Sequence, residues 1–291
     1  MTSIDASELI LNGDGSIYHL NLVPEELAST IITVGDPDRV SEVSKHFETV
    51  EIRKGKREFI THTGWFKGER LSVISTGIGT DNIDIVFNEL DALVNIDFNS
   101  RTVKKKKTTL NIIRIGTAGA IQKELEVDSI LANNYAIGLD GLLHYYNSEA
   151  IQEVDLQNAF TKQINWPSTH PKPYIVAADK DLLQSFEDPN LNLGTTATNV
   201  GFYGPQSRVL RLALNNPSLI GSLSSFNYKN QHITNLEMET SGIYGLSKLL
   251  GHKAISLNSI VANRASGTVS KDPKIAMQKL IVFALEKISK I

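Results

Sequence analysis

The sequence contains no cysteine, so disulfide bonds, thiolate nucleophiles and cysteine-ligated metals are all excluded. It also lacks any apolar run near the roughly 20 residues that a membrane-spanning helix needs. Its N-terminus shows no basic segment followed by an apolar one, which a secretory signal would require. These absences favour a soluble protein of the cytoplasm with no membrane contact.

An excess of positive charge is missing as well, because 29 Lys and Arg residues stand against 32 Asp and Glu residues, a net charge of −3. This balance argues against a surface that coats nucleic acid. The hydrophobic fraction of 41% is enough for a substantial core, and 291 residues suit one large α/β domain or two small ones. No convincing linker divides the chain, so we predict a single domain over residues 1–291.

Short apolar runs alternate with amphipathic stretches along the chain. Residues 30–34 predict a buried strand that ends at Gly35. A helix should follow, with Asp36 as its cap, Pro37 in first position and its end near Phe47. The alternation indicates a mixed or mainly parallel sheet with helices on both faces, which binds ligands at the carboxyl ends of its strands. The same patterns predict strands at 70–76, 109–115, 129–137, 174–177, 194–199, 234–236 and 254–261, and helices at 82–95, 239–250 and 274–287.

The segment 98–108 (FNSRTVKKKKT) carries four consecutive lysines, Lys104–Lys107. A solvated insertion between a helix and a strand is favoured over an anion-binding patch. Whether the insertion caps a pocket or alters assembly is left open by its residues.

Three arginines lie where a phosphate oxygen could be held. Arg39 follows the strand that ends at Gly35, and Arg114 precedes a predicted Gly-Thr-Ala-Gly turn at 116–119. Arg57 lies in a Lys-Arg-Glu-Phe segment. The planar guanidinium of arginine matches two phosphate oxygens at once.

The glycines of these segments, Gly35, Gly116 and Gly119, tolerate positive φ angles and would let the backbone approach an anion closely. Thr117 adds a hydroxyl donor. Either segment alone is more simply an ordinary strand-to-helix turn with a surface arginine. The two together favour a site for one small dianion.

These segments resemble the phosphate-binding motifs of nucleoside phosphorylase family I, especially its uridine phosphorylases. The similarity runs from about Tyr18 to the C-terminal helix. The resemblance implies a three-layer α/β/α sandwich with a central mixed β-sheet. It also implies self-association as a dimer or as a hexamer of paired subunits, with sites shared between neighbours.

The resemblance assigns phosphate binding residue by residue. In the family the first glycine and arginine, the strand-end arginine and the threonine hold phosphate, which here implies Gly35, Arg39, Arg114 and Thr117. The arginine of the Arg-Glu-Phe segment reaches the phosphate of a neighbouring subunit, so Arg57 is expected to act across a dimer interface. Inorganic phosphate is then a co-substrate, and no organic cofactor is implied.

The segment Glu237-Met238-Glu239 is a candidate sugar site. A carboxylate can accept hydrogen bonds from two adjacent ribose hydroxyls, but acidic residues at a helix N-terminus and a packed methionine explain the same segment equally well. The family resemblance implies that Met238 packs on the ribose and Glu239 binds its hydroxyls. It also implies that His19, otherwise a packed or surface histidine, contacts the 5′-hydroxyl from a partner subunit.

Residues 202–208 (FYGPQSR) are the candidate base site. Phe202 can stack on a base, Gln206 can donate and accept at the carbonyl-and-NH edge of uracil, and Arg208 can donate to a carbonyl. A plain Gly-Pro turn at the start of a helix is the simpler interpretation of the segment alone. The pattern is similar to the family's uracil-recognition segment, although Gly-Pro stands where Pro-Gly is usual.

Asn263 argues against a purine substrate. The purine enzymes of the family carry an aspartate near this position, and an amide cannot serve as its general acid. The adjacent Arg264 resembles the pyrimidine branch, where it would support Arg208 through a water. Glu58 matches a family position that holds a monovalent cation such as potassium on the dimer axis, but Asn82 replaces the usual serine, and no catalytic metal cluster is evident.

The sequence therefore predicts a pentosyltransferase of nucleoside salvage that converts uridine and phosphate to uracil and ribose 1-phosphate. Catalysis would rest on Arg39, Arg114, Thr117, Gln206 and Arg208, with no side chain acting as the nucleophile. A purine nucleoside phosphorylase, a nucleoside hydrolase and a non-catalytic nucleotide-binding module of the same fold remain alternatives.

Overall fold

A twelve-stranded mixed β-sheet forms the centre of the computed structural model, which describes residues 3–291. This sheet and a separate two-stranded hairpin contain β1 (Thr30–Val34), β2 (Thr49–Lys56), β3 (Phe59–Phe66), β4 (Glu69–Ser75), β5 (Ile96–Asp97), β6 (Thr102–Val103), β7 (Asn111–Ala120), β8 (Ile130–Gly138), β9 (Tyr174–Ala177), β10 (Leu191–Thr198), β11 (Asn227–Tyr228), β12 (Gln231–Glu237), β13 (Lys253–Asn263) and β14 (Thr268–Val269). The helices are α1 (Asp38–Ser44), α2 (Thr80–Asn95), α3 (Val154–Ile164), α4 (Lys180–Ser185), α5 (Leu219–Ser225), α6 (Thr240–Leu250) and α7 (Pro273–Ile288).

The central strands are covered by helices on both faces. Ile31 and Ile32 are neighbours on β1 and therefore point to opposite faces, yet both are fully buried. Each such side chain contributes about 1.5–3 kcal/mol through burial. The predicted three-layer α/β/α arrangement around a mixed sheet is confirmed.

The strand order brings several strand ends to one edge of the sheet. From one side to the other the order is β11-β12-β10-β8-β13-β7-β1-β4-β3-β2. β1 pairs in parallel with both β4 and β7, and β7 pairs in parallel with β13. The carboxyl ends of these four strands consequently meet, which is where ligands bind in such sheets.

Five of the strands close into a ring, because β12 pairs with β7 as well as with β10. The order around the ring is β7, β13, β8, β10 and β12. Between these strands Ala118, Ala120, Leu131 and Ile260 pack as a small apolar cluster. The interior of the ring is thus apolar at one level. At another level it holds polar side chains, and some of these belong to the site described below.

The predicted turn at 116–119 is wrong, because β7 continues through it to Ala120. This segment pairs with β13 up to Asn263 and with β12 at Gly119, and these ladder bonds hold it extended. It is therefore a strand of the ring and does not lead into a helix. The remaining predicted strands and helices occur within a few residues of their expected bounds.

The helix after β1 is shorter than predicted. It runs from Asp38 to Ser44 with Pro37 in the cap position, and the Asp36 carboxylate accepts the Asp38 N–H at 3.0 Å. A tight turn then leads to Phe47, whose N–H donates to the Ser44 carbonyl. The cap was expected one residue too early.

Two further regions are the hairpin that contains Arg57 and the lysine-rich segment. β2 and β3 form a hairpin that was not predicted, and its tight turn places Arg57 at a φ of 57°. The lysine-rich segment follows the small hairpin of β5 and β6, and Lys105–Lys107 are exposed, as expected for a solvated insertion. Within residues 3–291, no helix has the length and apolar character needed to cross a membrane.

Candidate active site

Arg114 lies at the centre of the candidate site, on β7, and is only 7% exposed. Its Nη2 donates to Glu239 Oε2 at 2.6 Å, and its Nη1 donates to Asn258 Oδ1 at 2.6 Å. The side chain lies over Gly116, where a Cβ would come within 2.0 Å of the guanidinium. Glycine is needed at 116 because the arginine occupies the space of its side chain.

The motif glycines do not use the positive φ angles that glycine tolerates. Gly35, Gly116 and Gly119 all lie outside the left-handed region, and Gly116 and Gly119 are part of β7. A Cβ on Gly35 would lie 3.3 Å from the Gly77 carbonyl, so little space is left for a side chain there. Close approach of these glycines to an anion stays a prediction. Two glycines of the loop after β4 do have positive φ angles: Gly77, at 71°, and Gly79, at 96°.

The loop of Gly77 and Gly79 carries a contact that sequence reasoning missed. The Gly79 N–H donates to Glu239 Oε1 at 2.9 Å, so the two oxygens of this carboxylate have different partners. The Gly-Ile-Gly pattern after a predicted strand was the available clue. Through this hydrogen bond the loop after β4 contacts the segment after β12, at the same edge of the sheet.

The two glutamates of the Glu-Met-Glu segment have separate roles. Glu237 Oε2 accepts the N–H groups of Glu239 and Thr240 and the Thr240 hydroxyl, so it caps the start of α6. Its Oε1 accepts the Thr198 hydroxyl at 2.5 Å. Glu239 makes no such cap and faces Arg114. The helix-terminus interpretation therefore fits Glu237, and the substrate interpretation fits Glu239.

Buried charges determine the electrostatics of the site. Burial lowers the pKa of Arg114, but attraction to Glu239 and then Glu237 outweighs it and leaves this pKa raised. Burial also raises the pKa of Glu239; Arg114 opposes that shift and Glu237 adds to it. A salt-bridge distance of 3.6 Å joins Arg114 to Glu237 as well. One guanidinium thus faces two buried carboxylates, so it cannot neutralise both when both are ionised.

Arg39 lies close enough to Arg114 for the two cations to repel each other. Burial lowers the pKa of Arg39, Asp36 opposes the shift, and Arg114 lowers the pKa further. An anion between the two guanidinium groups would relieve this repulsion. Arg114 of β7 and Arg39 of α1, the helix that follows β1, are thus two of the three predicted phosphate arginines that lie near each other.

The three predicted base-site residues contact one another. The guanidinium of Arg208 lies 3.9 Å from the centre of the Phe202 ring, and its Nη1 donates to Gln206 Oε1 at 2.6 Å. Its Nη2 lies 3.8 Å from where a Cβ on Gly119 would stand, at the end of the strand that carries Arg114. With Oε1 oriented by Arg208, the Nε2 donor of Gln206 is available to a ligand.

Arg264 and Asn263 fix the loop behind these residues. Arg264 donates directly to the carbonyl oxygens of Gln206 and Ser207, so it supports the base segment through its backbone. A water between Arg264 and Arg208 stays a prediction. Asn263 donates to two carbonyls and accepts from the N–H groups of Ala265 and Ser266. Its amide is fully used by the connection between β7 and β8, which holds Gln122 and Leu125, and by its own loop, which leaves no polar atom for a substrate.

His19 and Arg57 lie apart from this cluster within one chain. His19 contacts the Phe59 ring edge to face, and its Nδ1 lies 2.6 Å from the Glu89 carboxylate. Arg57 is exposed at the tip of the β2–β3 hairpin. Both therefore lie near one end of this hairpin, and their roles at a neighbouring subunit's site stay predictions.

Thr117 and Met238 are placed near the site without a polar contact to Arg114. Thr117 follows Arg114 by three positions on an alternating strand, so its side chain leaves the opposite face and lies beside Ser259 of β13. Met238 is half-buried in the connection between β12 and α6. Their roles in binding phosphate and ribose stay predictions.

The cation prediction rests on Glu58. Its Cγ lies 3.2 Å from where a Cβ on Gly77 would stand, and the amide of Asn82 lies against the same point. Among residues 3–291, no cluster of three or more acidic or histidine side chains could hold a metal ion. A monovalent cation at Glu58 stays a prediction.

Comparison with known proteins agrees with this geometry. The family model described as the phosphorylase superfamily matches residues 29–287. A uridine phosphorylase of Thermococcus kodakarensis is 27% identical over 266 residues, covering 89% of this chain and 81% of the relative. A DeoD-type purine nucleoside phosphorylase of Bacillus subtilis is 24% identical over 281 residues, covering 93% and 98%.

The solved structures give the same result. A Trypanosoma brucei nucleoside phosphorylase, described as showing uridine phosphorylase activity, superposes with a TM-score of 0.85 and 29% identity, covering 98% of this chain and 100% of that one. The fold, the clustered arginines and the family match over almost the whole chain lead to one conclusion. This chain belongs to the phosphorylase superfamily.

Proposed function

We propose that this protein is a nucleoside phosphorylase that cleaves uridine with inorganic phosphate to give uracil and ribose 1-phosphate. The observation that carries the proposal is the contact between Arg114 and Glu239. It joins a strong anion ligand to a strong acceptor for sugar hydroxyls in one buried position. A phosphate and a ribose bound to these two groups would be adjacent, as phosphorolysis requires.

Arg114 can bind phosphate without giving up its anchors. A guanidinium has five N–H donors, and Asn258 and Glu239 each take one at 2.6 Å. The remaining donors can face an anion together with Arg39. A phosphate oxygen would form the new bond to C1′ of the ribose as the bond from C1′ to N1 of uracil breaks, and the electron pair would leave on uracil.

The departing uracil carries the negative charge of the reaction, so donors to its carbonyl oxygens stabilise the transition state. Gln206 and Arg208 are held together at 2.6 Å and can supply such donors, with Phe202 exposed for stacking. Preorganised donors of this kind contribute about 3–4 kcal/mol each in a dry site. A purine substrate is the second candidate because of the Bacillus relative, but Asn263 has no free group to protonate it.

The most direct test measures base release from uridine, thymidine and inosine, each with and without phosphate. Phosphate-dependent release of uracil supports the proposal. Release without phosphate would indicate a hydrolase, preference for inosine a purine enzyme, and no release a binding module. We expect Arg114→Ala to lose phosphate dependence, and Arg208→Ala to impair uridine turnover while phosphate binding changes less.

Assembly is part of the proposal. We propose that His19 and Arg57 reach the site of a neighbouring chain, so that the protein forms at least a dimer, and a hexamer of paired subunits is compatible with this. A potassium ion between the Glu58 carboxylates of two chains is proposed on the same basis. Cytoplasmic location stays a prediction of the sequence.

A further inference from the structure

Five polar side chains, one from each strand of the ring, form a continuous belt of hydrogen bonds. In the order of the bonds they are Arg114 of β7, Asn258 of β13, Asn133 of β8, Asn235 of β12 and Thr196 of β10. The three bonds that follow Asn258 measure 2.8, 2.9 and 3.0 Å. All five residues are buried, and we call them the polar belt.

The direction of every bond in the polar belt follows from its first member. A guanidinium can only donate, so Asn258 must present its oxygen to Arg114. Its Nδ2 then points to the oxygen of Asn133, whose Nδ2 points to the oxygen of Asn235. The Asn235 amide ends on the hydroxyl of Thr196. No amide in this row can be reversed without placing two donors or two acceptors against each other.

The belt has little freedom to relax. Asn133, Asn235 and Asn258 are each completely buried, so a broken bond leaves a polar atom without water to replace its partner. The belt also crosses β8, β12 and β13, three strands whose backbones are fixed by the sheet. A change in the position of a side chain at one end of the belt should therefore shift the side chain at the other end.

We infer that Asn133, Asn235 and Asn258 are positioning residues for Arg114: together they hold one edge of its guanidinium on β13 so that its free donors face the anion. The inference rests on the proposed function, because it assumes that Arg114 binds phosphate. Asn133 is the informative member, since it touches neither Arg114 nor any group assigned to substrate. An effect of Asn133 on phosphate binding must reach Arg114 through other members of the network, either through Asn258 or through Asn235, Thr196 and Glu237.

The test is a double-mutant cycle read as the dissociation constant of inorganic phosphate, measured by calorimetry so that turnover is not needed. The four proteins are the wild type, Asn133→Ala, Arg114→Lys and the double variant. We expect Asn133→Ala to raise the phosphate dissociation constant about three- to ten-fold when Arg114 is present, and less than about two-fold in the Arg114→Lys background. A general loss of packing would act equally in both.

Two further variants separate positioning from stability. Asn95→Ala removes another buried asparagine with three hydrogen bonds, remote from the site, and should lower the melting temperature while phosphate affinity stays at the wild-type value. Thr196→Val keeps the shape of the side chain at the far end of the belt. If Asn133→Ala fails to fold, Thr196→Val takes its place in the cycle.

The outcomes are distinct. Unchanged phosphate affinity in Arg114→Lys would overturn the proposed phosphate site itself. A different result would overturn only the positioning role. In that result Arg114→Lys weakens phosphate binding, but the belt variant either binds phosphate like the wild type or loses affinity equally in both backgrounds. A loss confined to the Arg114 background supports it.

Discussion

The guanidinium of Arg114 and the carboxylate of Glu239 are joined at 2.6 Å, in a position that buries both residues. In the proposed reaction Arg114 serves phosphate and Glu239 serves ribose. The pair therefore couples the two substrate sites through a single charged contact. It also means that Glu239 competes with phosphate for the positive charge of Arg114.

Glu239→Gln separates these two effects. We expect kcat/KM for uridine to fall about 10- to 100-fold, because hydrogen bonds to a charged group contribute about 1.5–3 kcal/mol. Phosphate should bind at least as tightly as in the wild type, since a competing anion is removed. Steady-state kinetics and phosphate calorimetry measure the two quantities. Weaker phosphate binding would show that Glu239 supports the anion site instead of competing with it.

Gly116→Ala tests the space that Arg114 occupies. The new methyl group would stand 2.0 Å from the guanidinium, so the arginine must leave its bonds to Asn258 and Glu239. We expect the KM for phosphate to rise at least about 10-fold while the fold is retained, because the clashing atoms are the flexible end of a side chain. Gly119→Ala is the matched control, since its methyl group meets Arg208 at an ordinary 3.8 Å.

In the control variant, the KM for phosphate should stay within about two-fold of the wild-type value. Equal effects of the two substitutions would mean that any added methyl group on this strand disturbs the site. The specific role assigned to Gly116 would then be wrong.

Hydrophobic periodicity predicted most of the central fold. β1 was predicted with its observed bounds, because five consecutive apolar or β-branched residues are typical of a strand buried on both faces. The β2–β3 hairpin was missed because β2, with the sequence TVEIRKGK, is only half-buried and its charged residues hide the alternation. The periodicity of hydrophobic residues reflects which side chains are buried. A strand at the edge of the sheet buries few side chains and therefore shows little periodicity.

The sequence identified several residues of the site but not the contacts between them. Arg39, Arg114 and the residues of the base segment could be named from local motifs. The bonds from Arg114 to Asn258 and Glu239 span 144 and 125 residues of sequence, so no local pattern reports them. The ring closure that puts 116–119 into a strand likewise depends on β12, more than a hundred residues away.

The raised pKa of Glu239 makes stability depend on pH in a defined direction. Burial raises this pKa above the ordinary 4.5, so between the two values the folded protein holds a proton that the unfolded chain has released. Stability should therefore rise as pH falls through this interval, relative to Glu239→Gln, which has no such proton. Urea unfolding of both proteins, in phosphate-free buffer at several pH values below neutrality, measures the difference. A constant or opposite difference would show that Arg114 keeps the carboxylate ionised.

Mixing inactive chains tests whether the site is shared. If Arg57 acts on a neighbour's phosphate, a dimer of one Arg57→Ala chain and one Arg114→Ala chain has one intact site and one doubly altered site. Random exchange then restores about a quarter of wild-type activity. The control mixes Arg57→Ala with His19→Ala, which should restore none, because both residues are supplied from the same side and every site stays damaged.

The two mixtures must differ for the interface to be shared as proposed. Each single variant is first shown to be inactive and folded, and subunit exchange is confirmed with differently tagged chains. Recovery in the first mixture alone places Arg57 and His19 together on the donor side of the interface. If neither mixture recovers although exchange has occurred, Arg57 serves its own chain, and the exposed tip of the β2–β3 hairpin must fold back toward Arg114 when phosphate binds.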